Sequence, residues 1–202
     1  MMKVIGVRLY FLPVKTRMPL KFGAETLTQV TCARVCLRVR GEGGREVEGW
    51  GETPLSVQWV WPGTLPYEAR ETALKDFCAR LAGAWADVGG DGHPLEIGHA
   101  FLERRLPELH AQARAGQGAA ATMPWLAALV CCSPFDIALY DAYGKLAGAP
   151  VYETLGPDHV RRDLSAFLEP AEGAAVSFAG RYPRAFLAPR QNALPAWHLV
   201  GG

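Results

Sequence analysis

The stretch SPFDIALYDAYGKLAGAPVYETLG, Ser133–Gly156, decides how this chain is read. Ser133 is a residue type that caps helix N-termini, and Pro134 suits a first helical position, where a missing N–H costs nothing. Asp136 stands three residues on, where an acid favours the positive end of a helix dipole. Phe135, Ala138, Leu139, Ala142, Tyr143 and Leu146 recur at steps of three and four and form one apolar stripe. Gly148 and then Pro150 stop the helix. The spacing therefore predicts a buried amphipathic helix followed by a short extended exit. Forty-six residues remain after Gly156 in a chain of 202.

Working back from that helix, the pattern is strands first and helices second. Val4–Val14 is apolar and reads as a first strand, and Lys15–Thr26 is a polar loop carrying Pro and Gly. Leu27–Arg40 is the clearest strand: Ala33, Val35, Leu37 and Val39 alternate with Arg34, Cys36, Arg38 and Arg40, so one face is apolar and the other basic. Gly41–Gly44 turns the chain, and Glu46–Glu52 returns as a third strand. Helix is expected over about Tyr67–Ala82, with Leu74, Phe77, Cys78 and Leu81 on one face. Asp87–His93 is a Gly- and Asp-rich loop. Pro94 opens a second helix that Pro107 ends or kinks. Ala113–Thr122 is a low-complexity loop, and a third helical region runs over Pro124–Ala147, divided by Pro134. Leu164–Glu169 reads as a short strand. Beyond Pro170 the prolines at 170, 183, 189 and 195 break up a sequence with no sustained period, which predicts poor order. The fold class is α+β, a three-stranded antiparallel meander followed by a helical bundle.

Composition excludes several roles. Half the residues are hydrophobic, a fifth are charged, and the net charge is +1, which favours no nucleic-acid or membrane-surface partner. The N-terminus is interrupted by Arg8 and lacks a small-residue cleavage site, so it does not read as a signal peptide; no run of about 18 apolar residues predicts a membrane span. Five cysteines, Cys32, Cys36, Cys78, Cys131 and Cys132, form no Cys-x-x-Cys pair, which suggests a reduced, cytoplasmic setting. Glu96 and His99 have the spacing of half a di-metal site with no second copy and read as a surface pair. The GEGG glycines do not open a helix, so they predict no dinucleotide site, and no Gly-x-Ser-x-Gly is present.

Three segments carry a resemblance. VEGWGETP, Val47–Pro54, PLKF, Pro19–Phe22, and SPFDIALYDAYGKLAGAPVYETLG resemble the third strand, the mobile loop between the first two strands, and the cap-to-barrel junction of the mandelate racemase / muconate-lactonizing family in the enolase superfamily. Tyr140 stands where the family pattern has Trp. The resemblance covers about Val4–Glu169. It implies an N-terminal capping domain over residues 1–157, and over 158–202 a barrel start, with Leu164–Glu169 as its first strand, plus a tail. It further implies proton abstraction next to a carboxylate, assisted by Mg²⁺ held by three acids on barrel strands, with a Lys or His base. The cap would supply two substrate loops, about Lys15–Thr28 and Thr53–Trp61. Lys15, Arg17, Lys21, Phe22, Trp59 and Trp61 are then the substrate-loop candidates, the cations for a small carboxylate.

The same resemblance stops short of a catalytic assignment. No lysine follows Lys145, and the acids beyond Gly156 are Asp158, Asp163, Glu169 and Glu172 alone, whereas a full barrel takes about 250 residues. No catalytic or metal residue is carried over, and no cofactor is assigned to this chain. The expectation is a cap inactive as it stands, truncated or shifted in frame. The alternative is a free-standing interaction or oligomerisation module derived from such a cap, and a homo-oligomer is compatible with either.

Overall fold

A computed structural model describes residues 2–22, 25–88, 92–115, 118 and 122–196. Strands β1 (Lys3–Phe22), β2 (Glu25–Arg40) and β3 (Glu46–Pro54) form an antiparallel sheet in the order β1-β2-β3. Helices α1 (Val57–Val60), α2 (Tyr67–Ala86), α3 (Pro94–Ala100), α4 (Leu106–Arg114) and α5 (Trp125–Ala147) follow. The α+β meander-then-helices order expected from sequence is what the chain adopts.

The sheet buries one face. Ala33, Val35, Leu37 and Val39 of β2 are fully enclosed, as their alternation requires, and α2 and α5 pack over them with Leu74, Phe77, Leu81, Phe135 and Leu139. Between β2 and β3, Gly43 (φ 74°) and Gly44 (φ 81°) adopt the left-handed conformation that a side chain resists.

The closest approach in the fold lies between β3 and α5. A Cβ added to Gly49 would sit 2.1 Å from the carbonyl oxygen of Ala138, and one on Gly51 would sit 2.0 Å from that of Pro134. The helix therefore lies directly on strand backbone, with Ala138 and Ala142 as its own small residues at the contact. Two side chains of α5 then close the open edge of β3. The Trp50 N–H donates to Asp141 Oδ2 at 2.7 Å, and Lys145 Nζ donates to the Glu48 carbonyl at 2.9 Å and to Asp141 at 2.7 Å. An edge strand covered in this way offers fewer free backbone groups for pairing.

Several expectations are corrected. Pro134 does not divide or start a helix; α5 is continuous from Trp125 to Ala147. Pro134 has no N–H for the Val130 carbonyl, and Ser133 Oγ donates to that oxygen instead, at 2.9 Å. Ser133 thus repairs a mid-helix gap rather than capping an N-terminus, and its hydroxyl also meets Thr53 Oγ1 at 2.7 Å. Asp136 accordingly stands in mid-helix against Gly98. Gly148 (φ 66°) ends α5 as expected, but the exit is a 3-10 turn, Val151–Thr154. By length and composition α5 is apolar enough to cross a membrane; here its stripe is buried against sheet and α2. Pro107 ends nothing: a π turn, Phe101–Arg105, joins α3 to α4 without interruption, and Pro107 falls in the first turn of α4.

The segment Leu164–Glu169 is not a strand. Leu164–Ala166 is a 3-10 turn because the Asp163 carboxylate captures the Ser165 N–H at 3.1 Å, and among the described residues no neighbouring strand completes a ladder. Past Leu155 the described residues hold turns and 3-10 helices and no strand. They are tied back by the Leu164 N–H to the Arg181 carbonyl and by the Arg184 N–H to the Leu155 carbonyl. Glu96 and His99 are not a metal pair: Glu96 accepts from the His93 and Arg162 N–H groups, and His99 packs edge-on to Phe167. All five cysteines are buried and unpaired, and burial raises the Cys132 thiol to about 12.

Two outcomes test this packing. Gly51→Ala forces a methyl into backbone and should cost about 3 kcal/mol or more, the upper range of overpacking, read by chemical denaturation; Gly83→Ala, in open space, should not. Burial lifts the Asp136 carboxyl from 3.8 to about 6. Above pH 6 the folded protein must ionise a group that prefers to stay neutral, whereas below pH 3.8 both states hold the proton. Asp136→Asn should therefore stabilise the fold near pH 7.5, on the order of 1–3 kcal/mol, with the gain fading as pH falls from 6 to 4.

Candidate functional site

The site is an arm and the loop beneath it. β3 pairs with β2 only as far as Cys32↔Pro54, whereas β1 and β2 continue together to Phe22↔Glu25. The outer part of that hairpin is therefore a two-stranded ribbon projecting past the third strand. The polar loop expected over Lys15–Thr26 is mostly strand; its residues 23 and 24 lie outside the described set. Near the base of the ribbon β1 places four residues, Thr16–Pro19, opposite the single Thr28, a wide irregularity between Lys15↔Gln29 and Leu20↔Leu27. Bulges of this sort bend a ribbon and re-aim its side chains.

Under the ribbon, β3 gives way to a tightly anchored loop. The Leu55 N–H donates to the Thr31 carbonyl at 2.9 Å, and Leu55, Val57, Val60 and Trp61 are buried. Trp61 is 3% exposed, and its carbonyl accepts from the buried Arg70 guanidinium at 2.5 Å. Ser56 takes a left-handed conformation (φ 34°), an uncommon one for a residue with a side chain, and starts α1. With Val57 and Val60 directed inward, Gln58 and Trp59 are left facing out.

Arm and loop meet at a cavity of about 310 Å³ lined by Leu20, Leu27, Ser56, Gln58 and Trp59. Leu20 and Trp59 are each about half exposed, at 54% and 52%. The walls are apolar, with one amide and one hydroxyl. Among the described residues no titratable side chain lines the cavity, and its walls suit the binding and orientation of an apolar group.

The sequence candidates divide on this geometry. Trp59 lines the cavity, and Trp61 packs in the core. Lys15, Arg17 and Lys21 are exposed on the arm and are not among the cavity-lining residues. Phe22 ends β1, and its side chain lies outside the described residues. Leu20, Leu27, Ser56 and Gln58 were missed. Leu20 stands inside PLKF, where an apolar residue between Arg17 and Lys21 carries no distinct signal; a positive φ at Ser56 has no sequence signal. Among the described residues no group of three His, Cys, Asp or Glu is placed to hold a metal ion.

No family model matches the chain, and no curated protein matches it. Solved structures similar to it include an enolase from Bradyrhizobium complexed with magnesium and mandelic acid, 18% identical over 77% of this chain and 35% of that one, TM-score 0.45. A second is an enolase, a putative sugar isomerase, from Streptomyces coelicolor, 24% identical over 81% and 33%, TM-score 0.45. A third is a mandelate racemase/muconate lactonizing enzyme from Roseovarius nubinhibens, 23% identical over 77% and 34%, TM-score 0.46. The chain spans about a third of the length of these proteins.

Proposed function

We propose that this chain is the substrate-capping domain of a mandelate racemase / muconate-lactonizing type of enzyme, covering residues 1–157. The observation that carries the reading is the seating of one motif on another. VEGWGETP and SPFDIALYDAYGK resemble the family independently in sequence, and in three dimensions they are partners: Gly49 and Gly51 lie against α5, and Asp141 and Lys145 bind the backbone of β3. A chance likeness in two separate segments does not require that fit.

The two loops named by the resemblance also converge. Leu20 and Leu27 of the arm and Ser56, Gln58 and Trp59 of the second loop enclose one apolar cavity. A cap of this kind covers the non-reacting part of a substrate, excludes water and selects by shape. Proton abstraction beside a carboxylate, and the Mg²⁺ that would stabilise the resulting charge, would belong to groups other than those this chain brings together. Lys15, Arg17 and Lys21 would supply electrostatic attraction for an anionic substrate from the arm rather than direct contact in the cavity.

The test is a graft. The purified 202-residue chain should show no Mg²⁺-dependent exchange of the α-proton of mandelate or a dipeptide in ²H₂O. Residues 1–157 placed on the barrel of a related racemase, in exchange for its own cap, should give a folded protein with that exchange. Trp59→Ala and Leu20→Ala in the graft should raise KM several-fold, each removing apolar contact worth about 1–2 kcal/mol, with Trp61→Ala costing stability instead. Exchange by the 202-residue chain alone, or a folded graft whose KM ignores both cavity residues, would overturn the reading.

A further inference from the structure

The face of the sheet turned away from the helices is ordered by charge. On β2 it carries Arg34, Arg38 and Arg40; on β3 it carries Glu46, Glu48 and Glu52, all exposed. The register sets them opposite one another, Arg34↔Glu52, Arg38↔Glu48 and Arg40↔Glu46. One strand is thus a cationic stripe and its neighbour an anionic one, with matched spacing. Arg34 Nε reaches Glu52 at 2.5 Å, Arg40 Nη2 reaches Glu46 at 2.7 Å, and Arg8 of β1 reaches Glu48 at 2.7 Å. Between the rungs lie Trp50 and Tyr10, stacked at 6.2 Å, with Arg8 5.8 Å over the Trp50 ring. Both rings are about 40% exposed, and no helix covers them.

This pattern is complementary to itself under one symmetry operation. A two-fold axis parallel to the strands, running between β2 and β3, lays β2 of one copy over β3 of the other. Because the axis follows the strands, the register is kept: each arginine of one stripe comes over the glutamate that opposes it, and Cys36 over Trp50. An axis centred on β2 would instead set arginine over arginine. Sheets pack face to face at about 10 Å, within reach of long Arg and Glu side chains from both sides. The net charge of +1 leaves no overall repulsion between copies.

We propose that the outer face of the sheet is an isologous interface with a second copy of this chain, its register fixed by the arginine stripe of β2 over the glutamate stripe of β3. A partner of single charge sign would meet repulsion from half of the face, whereas a second copy meets none. The inference uses the face opposite the helices and does not depend on the capping role.

The experiment is sedimentation velocity on the full chain over a wide concentration range, in low and in molar salt. The expected result is a dimer whose dissociation constant rises at least about tenfold in high salt, since desolvated charge pairs supply its register. Arg34→Glu with Arg40→Glu sets acid against acid at two of the three rungs, and Glu46→Arg with Glu52→Arg sets base against base at the same two. Each variant alone should be monomeric with a cooperative melt, and an equimolar mixture should recover a heterodimer. A wild-type monomer at every concentration would overturn the proposal. So would a dimer indifferent to salt, one that survives either charge variant, or one dissociated by Ile137→Glu on the exposed side of α5.

Discussion

The structure depends on one steric constraint: α5 must lie on the backbone of β3 without a side chain between them. Gly49 and Gly51 satisfy it on the strand, and Ala138 and Ala142 on the helix. Close approach brings Asp141 and Lys145 within hydrogen-bond reach of the strand edge. It also makes Trp50, standing between the two glycines, face the other way, since successive strand residues alternate sides. The tight inner packing and the aromatic on the outer face thus have the same origin. Pro134 belongs to this arrangement too, because the carbonyl oxygen that bounds the space at Gly51 is its own.

The sequence revealed this body wherever burial wrote a period into it. The alternation of β2 and the three-and-four spacing of α5 were both legible, because half the positions in each face a core. The projecting ribbon was not. Toward the tip of the hairpin from Cys32, β2 has no pairing with β3, and the described residues Arg17–Lys21 are exposed, so Lys15–Lys21 needs no apolar alternation to be strand. Local chemistry defeated prediction elsewhere. Ser133 followed by Pro134 has the signature of a helix start, yet the same two residues fit a helix interior once the hydroxyl takes the orphaned Val130 carbonyl. Asp163 likewise turned an apolar run into a 3-10 turn by claiming a nearby N–H.

The candidate site was half legible for the same reason. Trp59 and Trp61 are alike in sequence, and only the bend at Ser56 separates an outward residue from a core one. The arm's charged residues are its conspicuous feature in sequence, yet what it contributes to the cavity is Leu20 and Leu27. Among the described residues of the ribbon, Arg17–Lys21 are exposed. The loop below it differs: Leu55, Val57, Val60 and Trp61 lock it to the body. One wall of the cavity thus belongs to the core and the other to a projecting ribbon.

The segment leaving α5 is held by different means again. Leu95 N–H donates to Nδ1 of His93, which leaves the proton on Nε2, and that nitrogen meets Thr154 Oγ1 at 3.1 Å in the turn after the helix. Thr154 in turn donates to the Val151 carbonyl at 2.6 Å. Burial, with a smaller contribution from His159, lowers the His93 pKa to about 4, so the ring stays neutral at ordinary pH and this tautomer persists. One buried imidazole thus caps α3 and fixes the path of the chain beyond Gly148. The turn after α5 is positioned by a side chain that lies forty residues upstream of Ser133, which no periodicity in Ser133–Gly156 records.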